Sequence, residues 1–459
     1  MAPSVAEPYF SSQAIATHGM QLALVESDVA LDYAQLAANI AQLVADWEQL
    51  PAARILLVSR SQIAMIQALL AIAQTAHVAI PTAPNSRQTD LDAAAREAFA
   101  SHRWESSGSH PLSTALGTET ALEKVHPLLT SLQAQRRPGL VLFTSGSTGR
   151  SKTILHDFEH LLHSLKPSKI SPPRKVLLLM YPDHIGGLDI LCKALAAGST
   201  LYLPPQRDAA TVGQWIAKYA IEVLPATPTF LRLALLQGMF EQYDCRSLQI
   251  ITYGAERMPP MLLQALRKVL PDVDFRATFG TTETGTVRLR GGCQQDDWLY
   301  PNTDAPAMRV VKGELWVKTS ATLLGYLDGH TTRIDEDGWL STGDFAEARE
   351  DGAIRIIGRH CALISIGGEK VDPLEIENAL LRIEGIIGAR IKAEPDALLG
   401  HSLTAKIVPG PGFTSLSIAD WKQRLRRELG SQFPRWKIPS RIIVESSHAS
   451  PGSRLKGTG

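Results

Sequence analysis

The segment that decides the fold is Leu142-Phe-Thr-Ser-Gly-Ser-Thr-Gly-Arg-Ser-Lys152, in which an apolar strand enters a loop dense in glycine, serine and threonine. Gly146 and Gly149 let the backbone turn and bring its N–H groups close to an anion. The loop also supplies hydroxyl donors and one ammonium group, at Thr144, Ser145, Ser147, Thr148 and Lys152. Such donors suit a triphosphate. The pattern matches neither the P-loop nor G-x-S-x-G, and a flexible surface loop is the alternative interpretation.

Composition places the chain among ordinary globular proteins. Its 459 residues suggest two to four domains or subdomains, at about 150 residues each. A hydrophobic share of 44% and a charged share of 20% exclude a disordered tail, a collagen-like chain and a bare coiled coil. Lys+Arg and Asp+Glu balance at 46 each, and no polybasic run is present. Nucleic acid and anionic membrane surfaces are therefore not expected as partners.

Cysteine usage and the termini indicate a cytoplasmic protein. The four cysteines lie far apart without a CxxC spacing, which argues against a disulfide framework or structural zinc and for a reducing compartment: Cys192, Cys245, Cys293 and Cys361. Residues 1–10 lack the basic and apolar regions of a secretory signal. Residues 61–86 carry no charge and are long enough to span a bilayer, but their polar and proline residues favour a buried helix followed by a strand at 77–80.

Helical and strand patterns alternate through the first 270 residues. Short apolar runs predict strands at 54–58, 175–180, 200–203 and 248–252, and helical spacing appears at 33–50, 211–219 and 260–270. Buried strands that alternate with helices predict parallel sheets covered on both faces. Ligands in such sheets bind at the loops that follow the strands.

The pattern of predicted secondary structure changes after Gly313. Residues 314–318 and 353–357 predict strands of a smaller β unit with turn-rich connections. From about residue 360 a compact α+β unit is expected, with helices near 373–381 and 418–429 and strands near 388–393 and 403–408.

The phosphate loop and three later segments resemble the adenylate-forming enzymes, the superfamily of acyl- and aryl-CoA ligases, peptide-synthetase adenylation domains and luciferases. Phe279-Gly-Thr-Thr-Glu-Thr284 resembles the family's YGxTE element, 338–344 its GWxxTGD element, and 358–359 with 367–377 its linker and GGE element. The resemblance implies an α/β fold: a large N-terminal domain at 1–359, of two doubly wound subdomains plus a small β unit, and a small mobile α+β domain at 360–459.

The resemblance also implies a nucleotide site. Carboxylate and ATP are both anions, so the site must neutralise charge while it brings them together. Thr282 would contact the α-phosphate, and Glu283 would hold Mg²⁺, which prefers oxygen ligands. Asp344 would accept the ribose hydroxyls, and Arg359 would also reach the ribose. Lys152 and the phosphate loop are also implied nucleotide contacts. The resemblance implies six more: Gly254, Ala255, Glu256, Phe279, Gly280 and Thr281.

Two implied features of the C-terminal domain depart from the family pattern. The mobile catalytic lysine is predicted to be Lys456, with Arg454 and Lys437 as rivals, because the usual end motif is altered. Cys361 stands at the hinge, where the family usually has Asp or Lys. A pivot needs free φ and ψ rather than a charge, so rotation is still expected.

The acid pocket is expected to be largely apolar, without Lys or Arg before Arg288, which favours an aryl or medium aliphatic mono-acid. Its predicted members are Tyr181, His184, Gly186, Thr229, Tyr253 and Thr286. Asp183 could instead pair with a substrate ammonium, so amino acids remain an alternative.

The resemblance also implies that Gly367 and Gly368 line a narrow channel for a pantetheine arm, which a side chain at these positions would block. The acceptor is therefore expected to be the thiol of CoA or of a separate carrier protein. The chain is interpreted as an ATP-dependent ligase that activates a small carboxylic acid as acyl-AMP and then forms a thioester. Transfer of the adenylate to an amine, and a nucleotide-binding protein without turnover, remain alternatives.

His156, His160 and His163 have the spacing of one helix face after the phosphate loop. That spacing could ligate zinc, although a mixed polar face is the simpler interpretation.

Overall fold

A computed structural model describes most of the chain. The described residues are 10–106, 114–115, 125–145, 151–167, 170–287, 289–290, 298–302, 308–359, 364–367, 369–396, 399–410, 413 and 415–444. At 114–115, 145, 151, 359, 370, 374 and 387 only the backbone is described.

The strands are β1 Leu22–Glu26, β2 Val29–Asp32, β3 Arg54–Val58, β4 Val78–Pro81, β5 His102–Glu105, β6 Thr114–Ala115, β7 Gly139–Ser145, β8 Ser151–Asp157, β9 Lys175–Leu177, β10 Thr200–Leu203, β11 Val223–Ala226, β12 Ile250–Tyr253, β13 Asp274–Ala277, β14 Phe279–Thr281, β15 Gly285–Val287, β16 Met308–Val311, β17 Glu314–Val317, β18 Gly325–Tyr326, β19 Leu340–Ala348, β20 Ile354–Arg359, β21 Ile364–Ile366, β22 Glu369–Val371, β23 Ile386–Asp396, β24 Gly400–Pro409 and β25 Arg441–Val444. The α-helices are α1 Ser12–Ala16, α2 Tyr33–Glu48, α3 Gln62–Ile72, α4 Gln88–Glu97, α5 Pro127–Ala134, α6 Phe158–Leu165, α7 Ile185–Ala196, α8 Ala209–Tyr219, α9 Pro228–Leu236, α10 Met239–Gln242, α11 Pro260–Val269, α12 Pro373–Leu381 and α13 Ile418–Gly430.

Two seven-stranded sheets form the centre of the larger part of the chain. The first has the order β13-β12-β11-β9-β10-β1-β2, and the second has the order β18-β8-β7-β4-β3-β5-β6. Their inner strands are parallel, as the alternating pattern predicts, whereas β2, β6, β8 and β18 join antiparallel. The predicted α/β architecture is therefore confirmed, with mixed rather than purely parallel sheets.

One hydrophobic cluster joins the two sheets. It includes Ile66 and Leu69 of α3, Leu161 of α6 and Leu188 of α7, all at most 1% exposed, together with inward residues of β1, β3, β7 and β10. Each such side chain stabilises the fold by about 1.5–3 kcal/mol. The uncharged stretch 61–86 therefore forms α3 and β4 in this core. Within the part of the chain that is described, no helix has both the length and the apolar character needed to cross a membrane.

Two smaller β units complete the fold. A four-stranded antiparallel sheet, β16-β17-β19-β20, starts at Met308, a few residues before the predicted change at Gly313. The C-terminal unit contains the hairpin β21–β22 and the sheet β23-β24-β25. The fully buried Trp421 of α13 and Leu380 of α12 contribute to a separate core in this unit, so the predicted α+β character is confirmed.

Candidate active site

The predicted phosphate loop connects two paired strands. β7 is buried over 140–142, and β8 returns beside it with Thr144 opposite Lys152. The loop residues Gly146, Ser147, Thr148 and Gly149 lie outside the described residues. A helix was expected after this loop, and the structure shows that this was wrong. β8 is almost completely buried, so it lacks the polar–apolar alternation that would have marked it as a strand.

Lys152 and Glu283 meet at one tyrosine. The Lys152 ammonium lies 5.4 Å from the centroid of the Tyr326 ring, in cation–π geometry. The Tyr326 hydroxyl donates a hydrogen bond to Glu283 Oε1 at 3.0 Å. The structure therefore brings together the two predicted residues of opposite charge, through a residue that sequence reasoning missed.

Thr282 and Glu283 occupy the tip of the β14–β15 hairpin. Gly280 pairs with Thr286 in this hairpin, and a Cβ at Gly280 would lie 2.7 Å from the Gly285 carbonyl oxygen. The glycine is therefore needed for the close approach of the two strands. Below the tip, the hydroxyl groups of Thr281 and Thr284 are 3.0 Å apart, both buried. Phe279 is half-buried against the core of the small β unit.

The segment 319–328 connects this hairpin to the phosphate-loop strand. Leu323 N–H donates to the Glu283 carbonyl oxygen at 2.8 Å, and the Thr319 hydroxyl donates to the Thr284 carbonyl oxygen at 2.6 Å. β18 then pairs with β8, with Tyr326 opposite Ile154. Lys152 and Glu283 are thus held by one hydrogen-bonded backbone frame.

His156 lies in β8, next to the hairpin tip, and is 1% exposed. Burial lowers its pKa to about 4, although the backbone of Thr282 and Ala321 and the Glu283 carboxylate favour the protonated form. No hydrogen bond of normal geometry reaches its Nε2 within the described residues. The ring is therefore neutral at physiological pH and packs against the segment that carries Glu283.

The prediction that His156, His160 and His163 share one helix is wrong, because β8 ends at Asp157 and α6 begins at Phe158. Asp157 caps this helix by accepting from the His160 backbone N–H at 3.0 Å. Among the residues with described side chains, no three His, Cys, Asp or Glu groups cluster as metal ligands.

The predicted adenine-binding turn follows β12. A Cβ at Gly254 would lie 2.2 Å from Thr278 Oγ1, so the turn requires glycine at this position. Ala255 adopts a left-handed φ of +64°, which is strained for a residue with a Cβ. Glu256 Oε2 accepts from the Thr229 N–H at 3.1 Å and hydroxyl at 2.5 Å, at the start of α9. Glu256 therefore binds the α9 N-terminus, where negative charge is favourable.

Asp344 and Arg359 lie opposite each other on β19 and β20, next to an irregularity in strand pairing. Asp344 is 4% exposed, and its backbone N–H donates a hydrogen bond of 3.1 Å to the Thr342 hydroxyl oxygen. The two predicted ribose contacts are thus adjacent in the sheet, although the Arg359 side chain is outside the described part.

The predicted acid pocket has a cation at its border. The Arg207 guanidinium lies 3.0 Å from the centroid of the Tyr181 ring. Burial lowers the Arg207 pKa to about 10, while Tyr181 and Asp183 favour its charged form, so it stays protonated at neutral pH. Arg207 was not among the predicted pocket residues, and it contacts one of them, Tyr181. Arg288 itself lies outside the described residues.

The other predicted pocket residues differ in environment. His184 is 62% exposed at the start of α7, with Nε2 3.9 Å from Asp183 Oδ2. Gly186 follows in the first turn of α7 and is half-buried. Tyr253 is 6% exposed within the core beside the first sheet. Thr286 donates to Asp189 Oδ1 at 2.7 Å, so its hydroxyl points toward α7.

The C-terminal unit contacts the large part near the adenine turn. Arg257 Nη1 lies 3.6 Å from Asp372 Oδ2 and 3.4 Å from the Ile357 carbonyl oxygen. Gly367 has a left-handed φ of +57° in the β21–β22 turn. Lys437, a rival for the mobile lysine, pairs with Glu375 at 3.0 Å. The other C-terminal predictions lie outside the described residues: Cys361, Gly368, Arg454 and Lys456.

Comparison with known proteins identifies the class of this fold and site. The family model of the AMP-binding enzymes matches residues 11–327, and the chain belongs to this family. The 3-[(3aS,4S,7aS)-7a-methyl-1,5-dioxo-octahydro-1H-inden-4-yl]propanoyl:CoA ligase of Rhodococcus jostii is 28% identical over 337 residues, 69% of this chain and 63% of that protein. 4-coumarate–CoA ligase 1 of Petroselinum crispum is 27% identical over 345 residues, 68% of this chain and 62% of that protein. The chain thus covers less than two thirds of these relatives.

Solved structures share the whole architecture. The anthranilate CoA ligase AuaEII in complex with anthranoyl-AMP superposes with a TM-score of 0.75 and 16% identity, covering 97% of this chain and 95% of that one. The amide bond synthetase McbA from Marinactinospora thermotolerans gives a TM-score of 0.71 and 16% identity, with 95% of each chain covered. These matches establish the fold of adenylate-forming enzymes.

Proposed function

We propose that this chain is an ATP-dependent acid–thiol ligase. A carboxylate oxygen would attack the α-phosphorus of ATP and release pyrophosphate, and a thiol would then attack the carbonyl carbon and release AMP. The observation that carries the proposal is the meeting of Lys152 and Glu283 at Tyr326, in a chain of the AMP-binding family. A cation and a carboxylate side by side suit a polyphosphate and its metal ion.

The Glu283 carboxylate fits Mg²⁺. It is a hard oxygen ligand, half-buried at a hairpin tip, and Mg²⁺ is commonly held by one or two carboxylates together with substrate phosphates. Bound there, the ion would neutralise phosphate charge. Thr282 would orient the α-phosphate, and Asp344 and Arg359 would hold the ribose.

We infer that the acceptor is the thiol of CoA, since the curated relatives are CoA ligases. An aryl or medium aliphatic mono-acid remains the proposed substrate. We also propose the division at 1–359 and 360–459, a hinge at Cys361 and a channel at Gly367 and Gly368. Lys456 remains the proposed mobile lysine, because Lys437 is paired with Glu375. A cytoplasmic location stays a prediction.

The test is ATP–pyrophosphate exchange with a panel of aryl and aliphatic acids, followed by chromatography of CoA products. We expect acid-dependent exchange and an acyl-CoA product. Glu283→Ala should reduce exchange at least about a hundredfold, because it removes a main electrostatic stabiliser. Glu350→Ala, at an exposed turn, is the matched control and should leave the exchange rate unchanged. Exchange without acyl-CoA, but with an amide when an amine is supplied, would reject the thiol acceptor. No exchange with any acid would reject the ligase.

A further inference from the structure

Tyr326 is the described residue that contacts both charged groups of the phosphate end. It is 7% exposed, its ring faces Lys152, and its hydroxyl donates to Glu283 Oε1. Because the ring is buried, its hydroxyl has little access to bulk water. A partly desolvated hydrogen bond to a carboxylate is stronger than a neutral one.

That hydrogen bond determines how Glu283 presents its oxygens. With Oε1 engaged by Tyr326, the carboxylate is held in one orientation and Oε2 is left for a metal ion. Among the side chains that are described, no cluster of three potential ligands exists. Mg²⁺ is commonly held by one or two carboxylates together with substrate phosphates, so the orientation of the Glu283 carboxylate would affect the metal affinity directly.

The backbone fixes Tyr326 relative to both partners. Tyr326 pairs with Ile154 of β8, two residues after Lys152, and Leu327 N–H donates to the Thr153 carbonyl oxygen at 2.8 Å. On the other side, Leu323 N–H binds the Glu283 carbonyl oxygen at 2.8 Å. The tyrosine cannot move away from Glu283 without breaking this frame.

We propose that Tyr326 is a positioning residue that orients the Glu283 carboxylate for a divalent cation bound with ATP. The inference rests on the proposed function of Glu283. The Tyr326 hydroxyl group would raise the affinity for the metal ion. The Tyr326 ring would hold the Lys152 ammonium in a cation–π contact before the nucleotide binds.

The test compares Tyr326→Phe with Tyr33→Phe. Phenylalanine keeps the ring at 326 but loses the hydroxyl. Tyr33 is the matched control, because its buried hydroxyl donates to the Ser199 carbonyl oxygen at 2.7 Å, away from the phosphate end. Mn²⁺ serves as the probe, and its binding in the presence of ATP is measured by electron paramagnetic resonance. We expect about tenfold weaker Mn²⁺ binding in Tyr326→Phe and wild-type binding in Tyr33→Phe.

A double variant protects the test against a general loss of structure. Once Glu283→Gln has removed the charged ligand, adding Tyr326→Phe should weaken Mn²⁺ binding no further. Wild-type Mn²⁺ affinity in Tyr326→Phe, or equal weakening in Tyr33→Phe, would overturn the inference. If wild-type protein shows no Mn²⁺–ATP complex, both the inference and the proposed function fail. If the expected shift appears without exchange or thioester formation, the proposed function fails while the inference stands.

Discussion

Lowering the pH from 8 to 5 should destabilise the large part of the chain through His156. The ring titrates near 6.5 when exposed, but burial lowers its pKa to about 4 in the folded state. Between these values the unfolded chain binds the proton and the folded one does not. The folded state therefore loses stability as the pH falls from 6.5 toward 4, by about 3 kcal/mol in full and about 2 kcal/mol at pH 5.

The assay is urea unfolding followed by tryptophan fluorescence, for wild type and His156→Gln at both pH values. Glutamine cannot take up the proton, so its variant should lack this part of the pH dependence. His77 and His102 also have lowered pKa values and act in the same direction, but they are common to both proteins. Wild type should lose about 2 kcal/mol more than the variant. If wild type and His156→Gln lost the same free energy of unfolding between pH 8 and pH 5, the assignment of His156 as a buried neutral ring would be refuted.

Three further predictions concern the adenine turn and its contact with the C-terminal unit. Gly254→Ala should cost about 1–3 kcal/mol of unfolding free energy and raise the KM for ATP, because the new Cβ would meet Thr278 Oγ1 at 2.2 Å. Ala255→Gly should stabilise the fold, by up to about 1 kcal/mol, since glycine relieves the left-handed φ of +64°. Arg257→Ala should lower the free energy of unfolding by about 0.5–1 kcal/mol, because it removes the contact with Asp372 at 3.6 Å.

Different outcomes would count against each of these. Unchanged stability of Gly254→Ala in thermal unfolding would mean that the turn relaxes more than the close contact suggests. A less stable Ala255→Gly would show that the lost chain stiffness outweighs the strain. A wild-type free energy of unfolding for Arg257→Ala would show that this ion pair does not contribute to stability.

Local sequence was sufficient where a short segment carries its own conformational requirement. The apolar run before the phosphate loop predicts β7, and the glycines at 254 and 280 stand where side chains would collide. The strands at 54–58 and 200–203 have the predicted bounds. These features depend on neighbouring residues in the chain or on a repeating pattern, so they can be predicted without knowledge of tertiary contacts.

The tertiary contacts that organise the site could not be predicted from local sequence. Tyr326 lies 43 residues from Glu283 along the chain, on a strand of two residues that is too short for any periodicity. Arg207 and Tyr181 come from loops after different strands of the first sheet. His156 belongs to a strand buried on both faces, whose apolar run resembles that of the helix which follows.

The most direct test of the ligase assignment follows the oxygen atoms of the acid. The substrate acid identified by exchange is labelled with a heavy oxygen isotope in its carboxylate and incubated with ATP, Mg²⁺ and CoA. If a carboxylate oxygen attacks the α-phosphorus and the thiol later breaks the bond to the carbonyl carbon, that oxygen stays with the phosphate. Mass spectrometry should then find AMP with one labelled oxygen and a thioester with the other. Unlabelled AMP, or label in inorganic phosphate beside ADP, would contradict activation as an acyl-adenylate.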